Sequence, residues 1–209
     1  MKHKVTNSPV LRFGTQDFKV HAKETLYKGF FKMDCYQISY QKFDGNSSAI
    51  IQREVFERGD AVVLIPYDPV SDTVVLIEQF RVGAIRCGDS PWLLEFIAGM
   101  FEQDEDPIDV AIREAKEEAN LTVLPEHMKK VMTYLSSPGG MSEAIHIYAA
   151  SINSENIGGI HGLDSEDEDI LVHVITREKA LSMLSDGKIT NAATIIGLQW
   201  LAMNYQTIT

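Results

Sequence analysis

The stretch from Gly99 to Leu121 constrains this chain more than any other. It holds a helix with marked ends. Asp106 is placed to cap it, Pro107 suits the first helical position, and Asp109 favours the first turn. Asn120 can take the left-handed conformation that ends a helix. Ile108, Ala111, Ile112, Ala115 and Ala119 make the apolar stripe, and the alanines let the helix lie close to a sheet. The expectation is that the acids face outward from the other side. Glu114 and Glu118 are four apart and share a face, with Glu117 close by. Like charges at that spacing cost a helix ~0.2–0.5 kcal/mol per pair, and acids in the last turn oppose the helix dipole. A divalent cation against that face offsets both costs. Hard cations such as magnesium take carboxylate oxygens and hold substrate phosphates, so the stretch points to metal-assisted phosphate chemistry. The competing reading is a solvated acidic face neutralised by Arg113 and Lys116.

The segments around this helix read as strands, helices and turns. Phe18 to Ala22 and Phe31 to Phe43 alternate, Asp44-Gly45-Asn46-Ser47 is a turn signal, and Ala49 to Phe56 follows as a partner strand. These form a small antiparallel layer. Ala61 to Pro66 is a continuous apolar run of the buried-strand kind, and Thr73 to Ile77 follows a turn, so the two are expected to form a hairpin. Trp92 to Ala98 reads as a single strand leading into a loop at Gly99. Val131 to Leu135, Ile145 to Ala150 and Ile170 to Ile175 are further strands. Thr176 caps a helix through Asp186, and Asn191 caps one through about Tyr205. Such mixing implies an α/β class, a mixed sheet sandwiched by helices.

The 209 residues suffice for one sizeable domain, or for one domain plus a small appendage. A net charge of −11 disfavours nucleic acid or an anionic membrane as partner. It leaves room for a phosphorylated small molecule, since a metal ion and a few arginines reverse the field locally. No apolar run is long enough to span a bilayer, and Met1-Lys2-His3-Lys4-Val5 leads into no apolar stretch of a signal peptide. A cytoplasmic protein is expected. Cys35 and Cys87, without metal-site spacing, are expected to be reduced and structural.

The Gly99–Leu121 stretch resembles the signature of the Nudix hydrolases: Gly, five residues, Glu, seven residues, Arg-Glu, a hydrophobic residue, any residue, Glu-Glu, any residue, Gly, hydrophobic. Gly99, Glu105, Arg113, Glu114, Glu117, Glu118 and Leu121 fall on it. Ala115 is smaller than usual, and Asn120 replaces the last glycine but tolerates positive φ. Further stretches resemble the bacterial members that cleave ADP-ribose: Arg53 to Gly59, Glu78 to Arg81, Trp92 to Glu95, Ser137-Pro138-Gly139-Gly140 and Gly159 to Gly162. The resemblance runs from about Glu24 to Leu201. It implies a Nudix α/β/α sandwich with a mixed sheet over residues 58–209 and a small N-terminal antiparallel β domain over 1–57. That domain would be exchanged in a homodimer whose active sites take residues from both chains.

The implied reaction is metal-dependent hydrolysis of the ADP-ribose diphosphate to AMP and ribose 5-phosphate. Other nucleoside-diphosphate sugars such as GDP-mannose are alternative substrates. A non-catalytic ADP-ribose sensor is the different-class alternative, opposed by the full set of box carboxylates. The resemblance implies two or three Mg2+ ions per site, with Mn2+ possible, on Glu114, Glu117, Glu118, Glu168 and the backbone carbonyl of Ala98. Glu166 would be the catalytic base, on a loop able to swing over substrate. Glu143 is the rival base, and the run 164–169 holds several neighbouring acids. Phe30 would stack on adenine from the partner subunit. Arg53, Glu54, Arg58, Arg81, Met100 and Ser137 would contact substrate, arginine being suited to bidentate phosphate bonds. Gly99 would permit the turn from strand to loop, and Glu105 would pair with Arg113 to hold that loop over the helix.

Overall fold

The computed structural model describes residues 10–86, 89–102, 104–163, 165 and 167–209. Cys87 and Glu166 lie outside the described residues. Two compact units emerge: Met1–Arg58 with Ser137–Ser142, and Gly59–Ser136 with Glu143–Thr209.

The first unit is an antiparallel sheet of three strands in chain order, β1 (Phe18–Lys28), β2 (Lys32–Tyr40) and β3 (Ile51–Glu57). The turn signal between β2 and β3 forms as expected. Gly45 has φ 89°, and the Asp44 carboxylate accepts the Asn46 N–H at 2.9 Å, the local bond that suits Asp to turns. Residues 137–142 belong to this unit because their backbone bonds to β3. Phe56 N–H donates to the Gly140 carbonyl at 2.8 Å, and Ser142 N–H donates to the Phe56 carbonyl at 3.2 Å. Cys35 is a half-buried free thiol on β2.

The second unit is built on a mixed sheet. Its elements are β4 (Asp60–Asp68), β5 (Thr73–Phe80), β6 (Trp92–Glu95), β7 (Ile97–Phe101), α1 (Pro107–Ala119), β8 (Met128–Leu135), β9 (Ala144–Ser151), β10 (Gly159–His161), β11 (Ile170–Thr176), α2 (Arg177–Ser185) and α3 (Ala192–Asn204). The order is β10-β11-β5-β4-β9-β8, with β6 added to β5 and β7 to β4. Among the described residues of this sheet only β4 and β9 run parallel; the other pairs are antiparallel. β4 is buried on both faces, which explains its unbroken apolar run. Val62 and Leu64 pack toward α1, while Val63, Ile65 and Tyr67 pack in the cluster that holds α2 and α3. Among the described residues no helix is long and apolar enough to cross a membrane.

One strand expectation holds and one is corrected. β4 and β5 form the expected antiparallel hairpin, a short one paired at Tyr67–Val74 and Asp68–Thr73. The expected single strand from Trp92 to Ala98 is two strands with different partners, β6 on β5 and β7 on β4. The switch falls at Phe96, whose side chain is buried and whose N–H turns away to the Thr194 hydroxyl at 3.1 Å. A short apolar run carries no label for its partner, so this break is a tertiary effect.

The helix ends hold. Asp106 accepts the Ile108 N–H at 2.8 Å and Asn120 sits at φ 49°. Thr176 and Asn191 cap α2 and α3 by accepting the Lys179 and Thr194 N–H groups. On α1 the alanines pack on the sheet as expected, but Glu118 is buried with them, only 3% exposed, rather than facing out.

Candidate active site

Glu118 lies in the last turn of α1. One of its carboxylate oxygens accepts the Ala98 N–H at 3.1 Å. That bond joins the helix to the strand residue whose carbonyl was expected to be a metal ligand. Burial pushes the Glu118 carboxyl up to about 8, and the nearby charges of Glu114 and Glu168 act in the same direction. The Ala98 bond and Arg81 pull it back only in part. The charges of acids on α1 and on the loop before β11 therefore act on one buried carboxyl.

Gly99 is not a turn. It sits inside β7 opposite Val62, without positive φ. Its role is steric: a Cβ there would run into the Cγ, Cδ and Oε1 of Glu114, which lies across the strand. The bare backbone thus seats the second acid. Arg113 also differs from expectation. It pairs with Glu114 at 3.1 Å and Glu117 at 3.8 Å, on its own helix. Glu105 instead accepts the Glu102 N–H at 2.8 Å, closing its own loop. Arg113 and Glu117 are four apart on one helix face, a spacing at which opposite charges meet.

Glu168 is held by the Leu163 N–H, which donates to its carboxylate at 3.2 Å. Gly162, at φ 107°, allows this tight fold-back, since a Cβ there would strike the backbone and Cβ of Glu168. Arg81 follows β5. Its Nε and Nη2 donate to one oxygen of Glu95 at 3.0 and 2.8 Å. Burial lowers the Arg81 pKa, but Glu95, Glu118 and Glu168 outweigh it and hold the guanidinium above its usual value. Met100, 39% exposed, follows Gly99 on β7. Glu143 is buried at 5% exposure, and its carbonyl accepts the Ser136 N–H.

The second unit thus gathers Ala98, Gly99, Glu114, Glu118, Glu168 and Arg81. Phe30, Arg53, Glu54, Arg58 and Ser137 belong to the first unit. Phe30 is 90% exposed, and its ring meets that of Phe31 edge to face, at 4.7 Å between ring centres. The Arg58 guanidinium lies over Phe31 at 5.4 Å. Arg53 and Glu54 are both exposed but consecutive in β3, so they project to opposite faces of the sheet. Ser137 starts the 137–142 loop, where its carbonyl accepts the Gly140 and Met141 N–H groups. His173 bonds Glu78 at 2.8 Å and His161 bonds the Gly158 carbonyl at 2.9 Å.

The donors fit a hard divalent cation. They are carboxylate oxygens, one of them buried, and their mutual repulsion is relieved by positive charge. Among the described residues no three acids close tightly enough around one point to cage an ion on their own. Without metal, Glu118 makes stability pH-dependent. Its folded pKa lies above its unfolded value of about 4.5, so its contribution is complete below that value. It is lost as pH rises to about 8, by roughly 3–5 kcal/mol. Urea melts in chelator at pH 5 and pH 8 are expected to show wild type losing this stability relative to Glu118→Gln. Parallel pH profiles for the two proteins are the contrary result.

Sequence reasoning passed over Glu95. Its signal is a single acid in the apolar run Leu93-Leu94-Glu95-Phe96-Ile97.

A family model described as the NUDIX domain matches residues 57–193. The chain is 49% identical to the ADP-ribose pyrophosphatase of Escherichia coli strain K12 over 205 residues, 98% of this chain and 97% of that one. It is 44% identical to the ADP-ribose pyrophosphatase of Haemophilus influenzae, over 95% of this chain and 92% of that one. The GDP-mannose pyrophosphatase of Yersinia enterocolitica is 34% identical, over 85% and 91%. The crystal structure of an ADP compounds hydrolase has the same fold, with a TM-score of 0.69 at 18% identity, over 93% of this chain and 97% of that one. With its acids seated on the strand glycine and its similarity running nearly end to end, the chain belongs to the Nudix family of hydrolases.

Proposed function

We propose that this chain hydrolyses the diphosphate of ADP-ribose to AMP and ribose 5-phosphate. The observation that carries the reading is the buried Glu118 carboxyl, set beside Glu114 and Glu168 and bonded to the Ala98 backbone. Whole-length similarity to ADP-ribose pyrophosphatases supports the substrate. Nudix hydrolases generally need a divalent metal. Here two or three Mg2+ ions, or Mn2+, would be held by Glu114, Glu117, Glu118, Glu168 and the Ala98 carbonyl. Bound there, such ions would supply positive charge to the phosphoryl oxygens and lower the pKa of a bound water. Arg81 binds the diphosphate and offsets its charge. Glu166 takes the proton from the attacking water. The deep burial of Glu143 disfavours it as a base that must swing. The runner-up is GDP-mannose, favoured by the 34% identical Yersinia enterocolitica relative.

The N-terminal domain, residues 1–57, is proposed to be exchanged in a cytoplasmic homodimer with shared sites. Two observations support this: every residue of β1 is exposed, and Phe30 presents an open ring for adenine to stack on.

A turnover panel of ADP-ribose, GDP-mannose and NADH, with magnesium and with chelator, tests the activity. AMP from ADP-ribose and no product in chelator are expected. Preferential cleavage of GDP-mannose transfers the reading to the runner-up. For the dimer, mixing Phe30→Ala with Glu118→Gln subunits restores one intact site per mixed dimer. Activity is expected above both parents; a mixture equal to their average contradicts sharing.

A further inference from the structure

We infer that Glu95 is a positioning residue for the reaction, fixing the plane of the Arg81 guanidinium and tying it to the start of α3. This rests on the proposed phosphate-binding role of Arg81. Glu95 closes β6 and is 3% exposed. A buried carboxylate is tolerated only when paired and hydrogen-bonded, and this one is filled on both oxygens. Oε2 takes Nε and Nη2 of Arg81 at 3.0 and 2.8 Å, with the buried Gln79 amide at 3.4 Å. Oε1 takes the Asn191 amide N–H at 2.9 Å. The other end of Asn191 caps α3, its oxygen accepting the Thr194 N–H at 2.9 Å and the Thr194 hydroxyl at 3.0 Å. That hydroxyl in turn accepts the Phe96 N–H, at the point where the chain passes from β6 to β7.

The consequence is orientation. A free arginine loses about 2 kcal/mol of rotamer entropy when it is immobilised on a ligand. Here two bonds to one buried oxygen set the plane of the guanidinium beforehand. Among the described residues Nη1 has no bonding partner, so its hydrogens remain for substrate oxygens. The group lies close enough to Glu118 and Glu168 to feel both charges. Among the described residues the Glu95 carboxylate bonds Arg81, Gln79 and Asn191, and of these only Arg81 is proposed to touch substrate. Its effect on turnover is therefore expected to pass through Arg81.

A double-mutant cycle on the full chain, with ADP-ribose and magnesium, tests this. Glu95→Gln keeps the shape but loses the charge that pins the fork. It is expected to lower kcat/KM by about 10–100-fold, the usual range when an outer partner of a site is lost. In an Arg81→Ala background the same change is expected to cost less than about twofold, because the group it positions is gone. Equal losses in both backgrounds overturn the inference, since Glu95 would then act independently of Arg81. Should Glu95→Gln not fold, Asn191→Ser serves in its place. Serine still caps α3 but drops the bond to Oε1. Its loss of kcat/KM should likewise vanish without the Arg81 side chain, and a loss that persists is contrary. Wild-type turnover of ADP-ribose, measured alongside, separates this from the assigned function. A wild type without activity removes the functional reading, whereas an active wild type with additive mutants removes only the role of Glu95.

Discussion

Glu118→Gln is expected to lower turnover by ~10³-fold or more while the fold survives. Metal-borne charge stabilisation supplies several kcal/mol of transition-state binding, and each 1.36 kcal/mol is tenfold in rate. The amide is nearly the shape of the carboxylate. Its oxygen can still accept the Ala98 N–H that now holds the side chain at 3.1 Å. What it cannot supply is negative charge to an ion. Removing one of three mutually repelling acids also spares the metal-free protein the cost of ionising a buried group. The variant should therefore be inactive yet, in chelator at pH 8, more stable than wild type. Steady-state turnover and chemical melts read the two effects separately. Wild-type turnover in this variant removes Glu118 from the metal site.

Gly99→Ala is expected to lose activity out of proportion to stability. The added methyl meets Glu114 at Cγ, Cδ and Oε1. Glu114 is half-buried on a flexible stem and can swing away at modest cost, at most the ~1–3 kcal/mol of ordinary overpacking. The swing carries its carboxylate off the shared site. Displacing a catalytic group by about 1 Å is enough to cost ~10²-fold, and a ligand moved by a rotamer change travels further. A loss of ~10²-fold or more in kcat, with the melting temperature lowered by no more than about 10 °C, is the expected pair of readings. Unchanged kcat contradicts the steric role of Gly99. A matching collapse of stability assigns that glycine to packing rather than to the site.

Local features were legible in the sequence, and non-local ones were not. The ends of α1 could be read because Asp106, Pro107 and Asn120 act on neighbouring backbone groups. The continuous run of β4 likewise announced a doubly buried strand. The break at Phe96 could not be read, because it depends on Thr194, far along the chain. The same holds for residues 137–142, whose backbone bonds place them with β3. Within the site, spacing put Glu114 and Glu118 on one helix face. It could not tell that Glu118 turns inward to Ala98 while Glu114 lies on Gly99. A glycine before a helix reads as a turn until the strand it belongs to is known. Glu95 was overlooked for a related reason. Its partners come from the end of β5 and the start of α3, and no spacing links them.

The central claim is that the acids of α1 hold divalent ions against β7. Titrating Mn2+ into the protein with a non-hydrolysable ADP-ribose analogue, and reading free ion by electron paramagnetic resonance, tests it most directly. Wild type is expected to take up Mn2+ in at least stoichiometric amount, with Glu118→Gln weakened by ~10-fold or more. No uptake by wild type, or equal uptake by the two proteins, contradicts the account.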